Sequence, residues 1–379
     1  EDTSAAVSLA LAMAGGDVAM IRRLEPQMSA ILEAMGKARL GHDRLDLDAF
    51  CVLEGRLLLS GVEGIVAGGL TTRQVLRLAA DAANYTTRSS LLRVWRRIGE
   101  DQPPPRLDRA LRRLWRERTR GIFADDERFC RVEAGRWTGH AFLRTPRPMP
   151  WSAASRLRFA REDWRRGALE LLDRIESGQF ETIKEDASGT VLSGEIVLGG
   201  RPLGVVVKRP RKKHWYRYLT ELGRGHRARR AWRKAWACIA RGIPTAWPLL
   251  LLESRTLGVS ADAMIVCERV AGPTLLDVDL AALAPTQRET LLFRAGRLLR
   301  LIERSGLYLY DSKATNFIVQ AEPTGPLPVL IDLDGLRPMR VSGGGLPRLL
   351  RSLREMDGFG GDDEAAVLFG YNPWSRRPA

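Results

Sequence analysis

Five polar residues on two neighbouring segments carry the strongest chemical signal in the chain. They lie in Tyr310-Asp311-Ser-Lys313-Ala-Thr-Asn316 and in Val329-Leu-Ile-Asp332-Leu-Asp334-Gly335. Phosphoryl transfer needs a carboxylate to orient the acceptor hydroxyl, a cation near the transferred group and oxygen ligands for a Mg²⁺ that bridges the phosphates. Asp311 suits the first role, Lys313 the second, and Asn316 with Asp332 the third, with Asp334 as a further metal-side carboxylate. Lys313 and Asn316 follow Asp311 by two and five residues, so all three share one tight loop, and a two-strand hairpin returns Asp332 opposite Asn316. The structural alternative makes Asp311 and Asn316 a turn pair, with Asp332 and Asp334 capping backbone amides.

Composition sharpens these choices. The 379 residues carry 60 Lys+Arg against 45 Asp+Glu, a net charge of +15, yet only seven of the cations are lysine and only three residues are asparagine. Lys208, Lys313 and Asn316 are therefore rare types standing where an ammonium or a neutral oxygen ligand is useful. An apolar fraction of 45% excludes a disordered chain. No window offers the roughly 18 apolar residues of a membrane-spanning helix. The four cysteines are far apart and only four histidines occur, which argues against a disulfide framework or a zinc site and fits a reducing cytosol. No secretory signal is read at the start of the sequence.

The elements that must position the polar residues follow from periodicity and breakers. Residues 1–150 read as mostly helical, with segments at 17–39, 70–98 and 106–119, a hairpin around Leu53-Glu54-Gly55, and a Pro-rich linker at Thr145–Pro150 that marks the main boundary. Beyond it come a helix over Phe159–Ile175, strands over 180–192 and 194–208 with a turn at Gly199-Gly200, and a basic helix over about 214–241 that stops at Gly242 and Pro244. A strand pair at Pro248–Leu252 and Ala263–Glu268 follows, then a helix near 286–305 and two short strands at Phe317–Val319 and Val329–Ile331. The expectation is an α+β chain with a β-rich lobe at 151–270 and a helical lobe at 271–379.

A D-x-K-x-x-N loop followed by a strand ending in I-D-x-D resembles the catalytic and metal-binding loops of the protein-kinase-like superfamily. The usual H-R-D and D-F-G elements are absent, and the I-D-x-D form resembles the lipopolysaccharide core kinases that phosphorylate Kdo or heptose. The resemblance spans about 180–340. It implies a bilobal protein-kinase-like fold with ATP and Mg²⁺ as cofactors, and a saccharide or glycolipid as acceptor. By the same resemblance Val205-Val-Val-Lys208 matches the strand whose lysine holds the α- and β-phosphates. Glu221 is then the best-placed carboxylate partner, Ser188-Gly189 covers the phosphates, and Glu268 and Val270 sit at a hinge whose backbone pairs with adenine. A site on the cytoplasmic face of the inner membrane is implied. The alternative is a kinase-like scaffold without activity.

Two further features belong to the sequence alone. The dense basic run from Arg209 to Lys234, interleaved with Trp215, Tyr216, Trp232 and Trp236, suits an anionic membrane surface or phosphorylated glycolipid, with the tryptophans at the headgroup level. The competing reading is a solvated basic helix whose tryptophans pack in the core; nucleic acid is not favoured, because no recognised motif supports it. Finally, Phe50-Cys-Val52 and Leu59-Ser-Gly61-Val-Glu63-Gly64 echo Phe317-Ile-Val319 and Leu330-Ile-Asp332-Leu-Asp334-Gly335. Ala49 and Gly61 then stand where Asn316 and Asp332 do, so 17–100 reads as a degenerate copy of the helical lobe that holds no metal; the alternative is an unrelated helical domain with a chance hairpin match.

Overall fold

The computed structural model describes residues 7–14, 18–43, 45–60, 62–82, 107–145, 149, 151–211, 226–256, 259–322, 325–338 and 344–372. The first unit starts with a two-residue strand β1 (Val7–Ser8) and the short helix α1 (Leu9–Ala14), followed by α2 (Val18–Lys37). Then come β2 (Leu40–His42), β3 (Phe50–Leu53), β4 (Arg56–Leu59), β5 (Ile65–Ala67) and α3 (Thr72–Ala82). The β3–β4 turn is Glu54-Gly55 with φ of 50° and 77°, the left-handed pair that a two-residue hairpin requires. β3 and β4 pair with each other and β2 pairs with β5, so one hairpin is nested inside a second strand pair.

Helix α4 (Leu107–Thr119) leads into β6 (Phe129–Ala134) and β7 (Trp137–Phe142), and α5 (Arg161–Glu176) follows. The strands β8 (Glu181–Asp186), β9 (Gly189–Leu198) and β10 (Arg201–Pro210) come next, then helix α6 (Arg227–Ile239) and strands β11 (Pro248–Thr256) and β12 (Val259–Glu268). All seven strands from β6 to β12 form one antiparallel sheet in the order β6-β7-β11-β12-β10-β9-β8. The strands expected at 180–192 and 194–208 are three, because the chain also reverses at Ala187-Ser188, where Asp186 accepts the Ser188 amide at 2.6 Å. β6 and β7 lie upstream of the boundary expected near 150 and still pair into the sheet, and 1–150 contains strands as well as helices.

Fully buried Trp164, Trp232 and Trp247 fill the core on this sheet. Each is large enough to bury about 150–250 Å². Trp164 donates to Phe142 O at 2.6 Å and Trp232 to Ile122 O at 3.0 Å. Trp232 and Trp236, expected at a headgroup surface, are thus core residues, both edge-on to Phe129, with Trp236 also tilted against Phe142. Trp215 and Tyr216 lie outside the described residues; in α6 the two tryptophans, four residues apart, share the helix face that is buried.

The helical part contains α7 (Pro285–Arg304), β13 (Leu307–Leu309), β14 (Phe317–Gln320), β15 (Leu327–Leu330), β16 (Leu336–Pro338), α8 (Gly345–Leu353) and α9 (Gly361–Tyr371). β14 pairs with β15 and β13 with β16. This is the same nesting as in the first unit, again after a 20-residue helix. The correspondence reaches single hydrogen bonds. Asp43 N donates to Gly64 O and Tyr310 N to Gly335 O, both at 2.9 Å; Ser60 N donates to Ala49 O and Ile331 N to Asn316 O, also both at 2.9 Å. One core joins the two units, with Phe50 and Leu47 in the same apolar cluster as Phe317 and Ala314. Among the described residues no helix is long and apolar enough to cross a membrane. The mixed α+β class, with a large antiparallel sheet followed by a helical part, is as expected.

Candidate active site

A cleft of about 530 Å³ lies between the sheet and the helical part. Its two sides are tied by the crossing segment before β11: Leu330 N donates to Pro244 O at 3.0 Å, and Thr245 Oγ1 to Leu330 O at 2.8 Å. At the hinge, Gly272 has φ of +130° and a Cβ there would stand 2.1 Å from Val319 O, so only glycine lets the two parts approach this closely. Its apolar lining comes from Val191, Val206, Ala246, Val270 and Ile318, and its polar lining includes Lys208, Ser188, Arg227, Asn316, Asp332 and Asp334. Residues more than a hundred positions apart in sequence therefore meet in one concave surface.

Each polar group is held by the local fold. Lys208 comes from β10, in register with Ile265 of β12 on one side and Val191 of β9 on the other. Its Nζ donates to Ile331 O at 2.6 Å. Asn316 ends a single 3₁₀ turn, and its Nδ2 donates to Asp311 O at 2.7 Å, which leaves Oδ1 as the free ligand atom of the amide. Asp332 Oδ1 accepts the Asp334 amide at 2.9 Å. Gly335 packs so tightly on the Asp311 backbone that a Cβ would stand 2.8 Å from Asp311 N. Asp311 and Lys313 lie on this loop but do not line the cleft wall. Asp311 has Arg348 at 3.0 Å, and Lys313 is exposed.

Glu221, the expected carboxylate partner of Lys208, lies outside the described residues. The described part of α6, Arg-Ala-Arg-Arg-Ala-Trp-Arg-Lys-Ala-Trp-Ala-Cys-Ile, contains no acid. Instead it sends cations to the segment after β15. Arg227 pairs with Asp334 and donates to Ser188 O at 3.2 Å, so it spans the cleft from the β8–β9 turn to the metal-side loop. Lys234 Nζ donates to Leu333 O and Asp334 O, both at 2.9 Å. Burial pushes the Lys234 ammonium down from its ordinary pKa. Burial opposes charge on Asp334 as well, but Arg227, Lys234 and Lys208 outweigh it and hold that carboxyl below the usual range. The expected second metal ligand is thus engaged by a guanidinium. Sequence reading missed Arg227 and Lys234 as site residues; the scarcity of lysine was the available signal for Lys234.

Ser188 and Gly189, at the β8–β9 turn, also line the cleft. Gly189 has φ of +149°, and its amide neighbour Ser188 O accepts from Arg211 N at 3.0 Å. At the hinge, the Glu268 amide is already spent on Trp247 O at 2.8 Å, and its carboxylate accepts from Ser152 Oγ and from Ala154 N at 2.9 Å. Burial raises the Glu268 pKa against these bonds. Its side chain therefore ties the 151–156 segment to the hinge, and the Arg269 amide donates to Gly204 O at 2.8 Å, so neither of these two amides is left for a base.

The residues fit the groups that the sequence implied. The apolar lining that includes Val270 suits a purine, and the cations Lys208 and Arg227 in the same lining suit its phosphates. Mg²⁺ is commonly held by one or two carboxylates plus phosphate oxygens, which Asp332 and Asn316 Oδ1 can satisfy. Among the described residues no group of three His, Cys, Asp or Glu side chains is arranged to hold a metal by itself.

No family model matches the chain, and no curated protein matches it. Among solved structures, one described as WaaP in complex with acyl carrier protein is similar over 54% of this chain and 83% of its own length, at 17% identity and a TM-score of 0.39. The likeness is distant and partial, and the roles given to residues rest on this chain's own geometry.

Proposed function

We propose that the chain is an ATP- and Mg²⁺-dependent kinase that phosphorylates a hydroxyl of a saccharide, of the lipopolysaccharide core or a related lipid-linked kind at the cytoplasmic face of the inner membrane. The observation that carries this reading is the convergence of Lys208, Asn316 and Asp332 in one cleft that also has apolar walls. Lys208 and the Ser188-Gly189 turn hold phosphates, Asn316 and Asp332 hold the metal, and the hinge at Val270 faces the base. Bound Mg·ATP supplies the phosphoryl group and neutralises charge that develops on it. Asp311 orients the acceptor hydroxyl and takes its proton, and Lys313 lies on the same loop to meet the transferred group. Positioning and preorganised charge do most of such work. The acceptor class rests on the resemblance of the D-x-K-x-x-N and I-D-x-D elements.

Transfer of labelled phosphate from ATP into membrane glycolipid extracts tests the reading. Asp311→Asn is expected to lower turnover by about 10²–10⁴-fold, the range for a positioned acid or base; an unchanged rate removes Asp311 from its role. A second reading, a nucleotide-binding scaffold without transfer, is favoured by the engagement of Asp334 with Arg227 and by the acid-free described part of α6. It predicts metal-dependent ATP binding with no transfer to any acceptor.

A further inference from the structure

α6 serves two concave surfaces. Arg227, Ala228, Ala231 and Ala235 line the cleft, whereas Arg233, Ala237 and Arg241, the last just beyond the helix, recur every four residues on another face and line a groove shared with α4. That groove has a volume of about 800 Å³. Arg112, Arg116, Arg233 and Arg241 converge on it, with Trp115 and Phe123 as aromatic walls and no acid among the residues lining it.

Several arginines elsewhere are balanced: Arg229 by Glu253 at 2.9 Å, Arg288 by Asp363 at 2.7 Å, and Arg354 by Glu364 at 2.7 Å. In the groove, among the described residues, none of the four has a carboxylate within ion-pair distance. Arg116 donates only to Arg112 O at 3.3 Å, and Arg241 to Ser305 O at 3.2 Å and Ala237 O at 2.8 Å. Arg241 also lies 4.4 Å over the Trp115 ring, and Arg233 lies 5.1 Å from the Phe123 ring centroid. Burial lowers the Arg241 pKa, the direction that a neighbouring anion would reverse. A concave surface lined by one sign of charge concentrates field and counter-charge, and guanidinium is the side chain best matched to phosphate.

We propose that this groove binds a phosphate-bearing ligand whose ring or chain lies on Trp115 and Phe123. The phosphate could belong to a soluble ester or to a lipid headgroup, and the test separates them. The full chain is titrated with phenyl phosphate by calorimetry, and separately mixed with phosphatidylcholine vesicles with or without phosphatidylglycerol. Arg112→Glu/Arg233→Glu alters two exposed side chains, and a melting curve checks that the variant is folded. Binding of phenyl phosphate alone identifies a soluble ester, and binding of only the anionic vesicles identifies a lipid. In either case the double variant weakens it by about tenfold or more, and Lys208→Ala, which alters the cleft, leaves it intact. The proposal is overturned if neither probe binds, if the double variant binds as the wild type does, or if Lys208→Ala abolishes binding. Because the cleft is intact in the double variant, failure here leaves the kinase reading standing.

Discussion

Asp332 and Asp334 are separated by one residue, yet the structure gives them opposite surroundings, and exchanging each carboxylate for its amide should reveal it. Asp332→Asn keeps an oxygen to accept the Asp334 amide at 2.9 Å, so the loop retains its hydrogen bond while losing the charge offered to Mg²⁺. A contact to a charged partner contributes about 1.5–3 kcal/mol, which is tenfold to about 150-fold in Mg·ATP affinity. Asp334→Asn instead removes the ion pair with Arg227. Those two side chains are 41% and 37% exposed, so solvent screens the pair to about 0.2–1 kcal/mol, no more than about fivefold. The hydrogen bonds of Lys234 are kept, because it donates to the carbonyls of Leu333 and Asp334 rather than to the carboxylate. Calorimetric titration of ATP with and without Mg²⁺ reads the difference, with thermal unfolding of each variant as the check on the fold. The reasoning is refuted if Asp334→Asn loses metal-dependent affinity while Asp332→Asn keeps it. That result would mean that the Arg227 pair opens on binding and that the roles of the two carboxylates are exchanged.

Other consequences are more local. Arg118→Met should cost about 3–5 kcal/mol in urea unfolding, because Asp81, at 2.9 Å, and Asp46, at 3.9 Å, are then buried without that cation. Burial pushes the thiols of Cys130 and Cys267 up to about 11 and that of Cys238 to about 12. A raised folded pKa stabilises below the unfolded value near 9 and loses that contribution as pH climbs through the folded value, so unfolding free energy should fall between pH 9 and 12, and half-buried Cys51 alone should react quickly with a thiol reagent at pH 8. Asn316→Ala should remain folded, with a melting temperature within a few degrees of the wild type, yet lose Mg²⁺-dependent nucleotide binding.

What the sequence made legible was local. The D-x-K-x-x-N loop and its returning strand were readable because their residues are close in the chain and bounded by turns, and β14 and β15 pair as the apolar runs require. Helix α7 was readable from its period and from Gly306 behind it. The strands β6 and β7 were not, because nothing in 129–142 says that its partner is Leu250–Ser254, more than a hundred residues on. The same distance hid Arg227. A search for a carboxylate partner of Lys208 looks for opposite charge, whereas α6 supplies cations that bind carbonyls and a carboxylate after β15. The tryptophans of α6 misled for a different reason: a helix with arginine on one face and tryptophan on the other has the same pattern at a membrane and against a core, and only the sheet beneath it decides.

The nested hairpins at 40–67 and 307–338 separate what folds this loop from what does chemistry on it. In both, a backbone amide leaving the first strand bonds the carbonyl of a glycine before the last, Gly64 or Gly335, and a Cβ on either glycine would stand under 3 Å from the first segment. In both, a side chain from the next helix caps the 3₁₀ turn: Asp81 accepts Leu47 N at 3.1 Å, and Ser352 Oγ accepts Ala314 N at 3.0 Å. In both, an arginine four residues earlier on that helix reaches back to an aspartate, Arg77 to Asp46 at 3.6 Å and Arg348 to Asp311 at 3.0 Å. None of these contacts uses Asn316 or Asp332, and the first copy has Ala49 at the position of Asn316 with the same backbone bond to the returning strand. The Asn316 amide and the Asp332 carboxylate add bonds of their own, to Asp311 O and from the Asp334 amide, yet the first copy keeps the same backbone frame with alanine at the position of Asn316. Their presence in the copy that lines the cleft is what the proposed metal site would use.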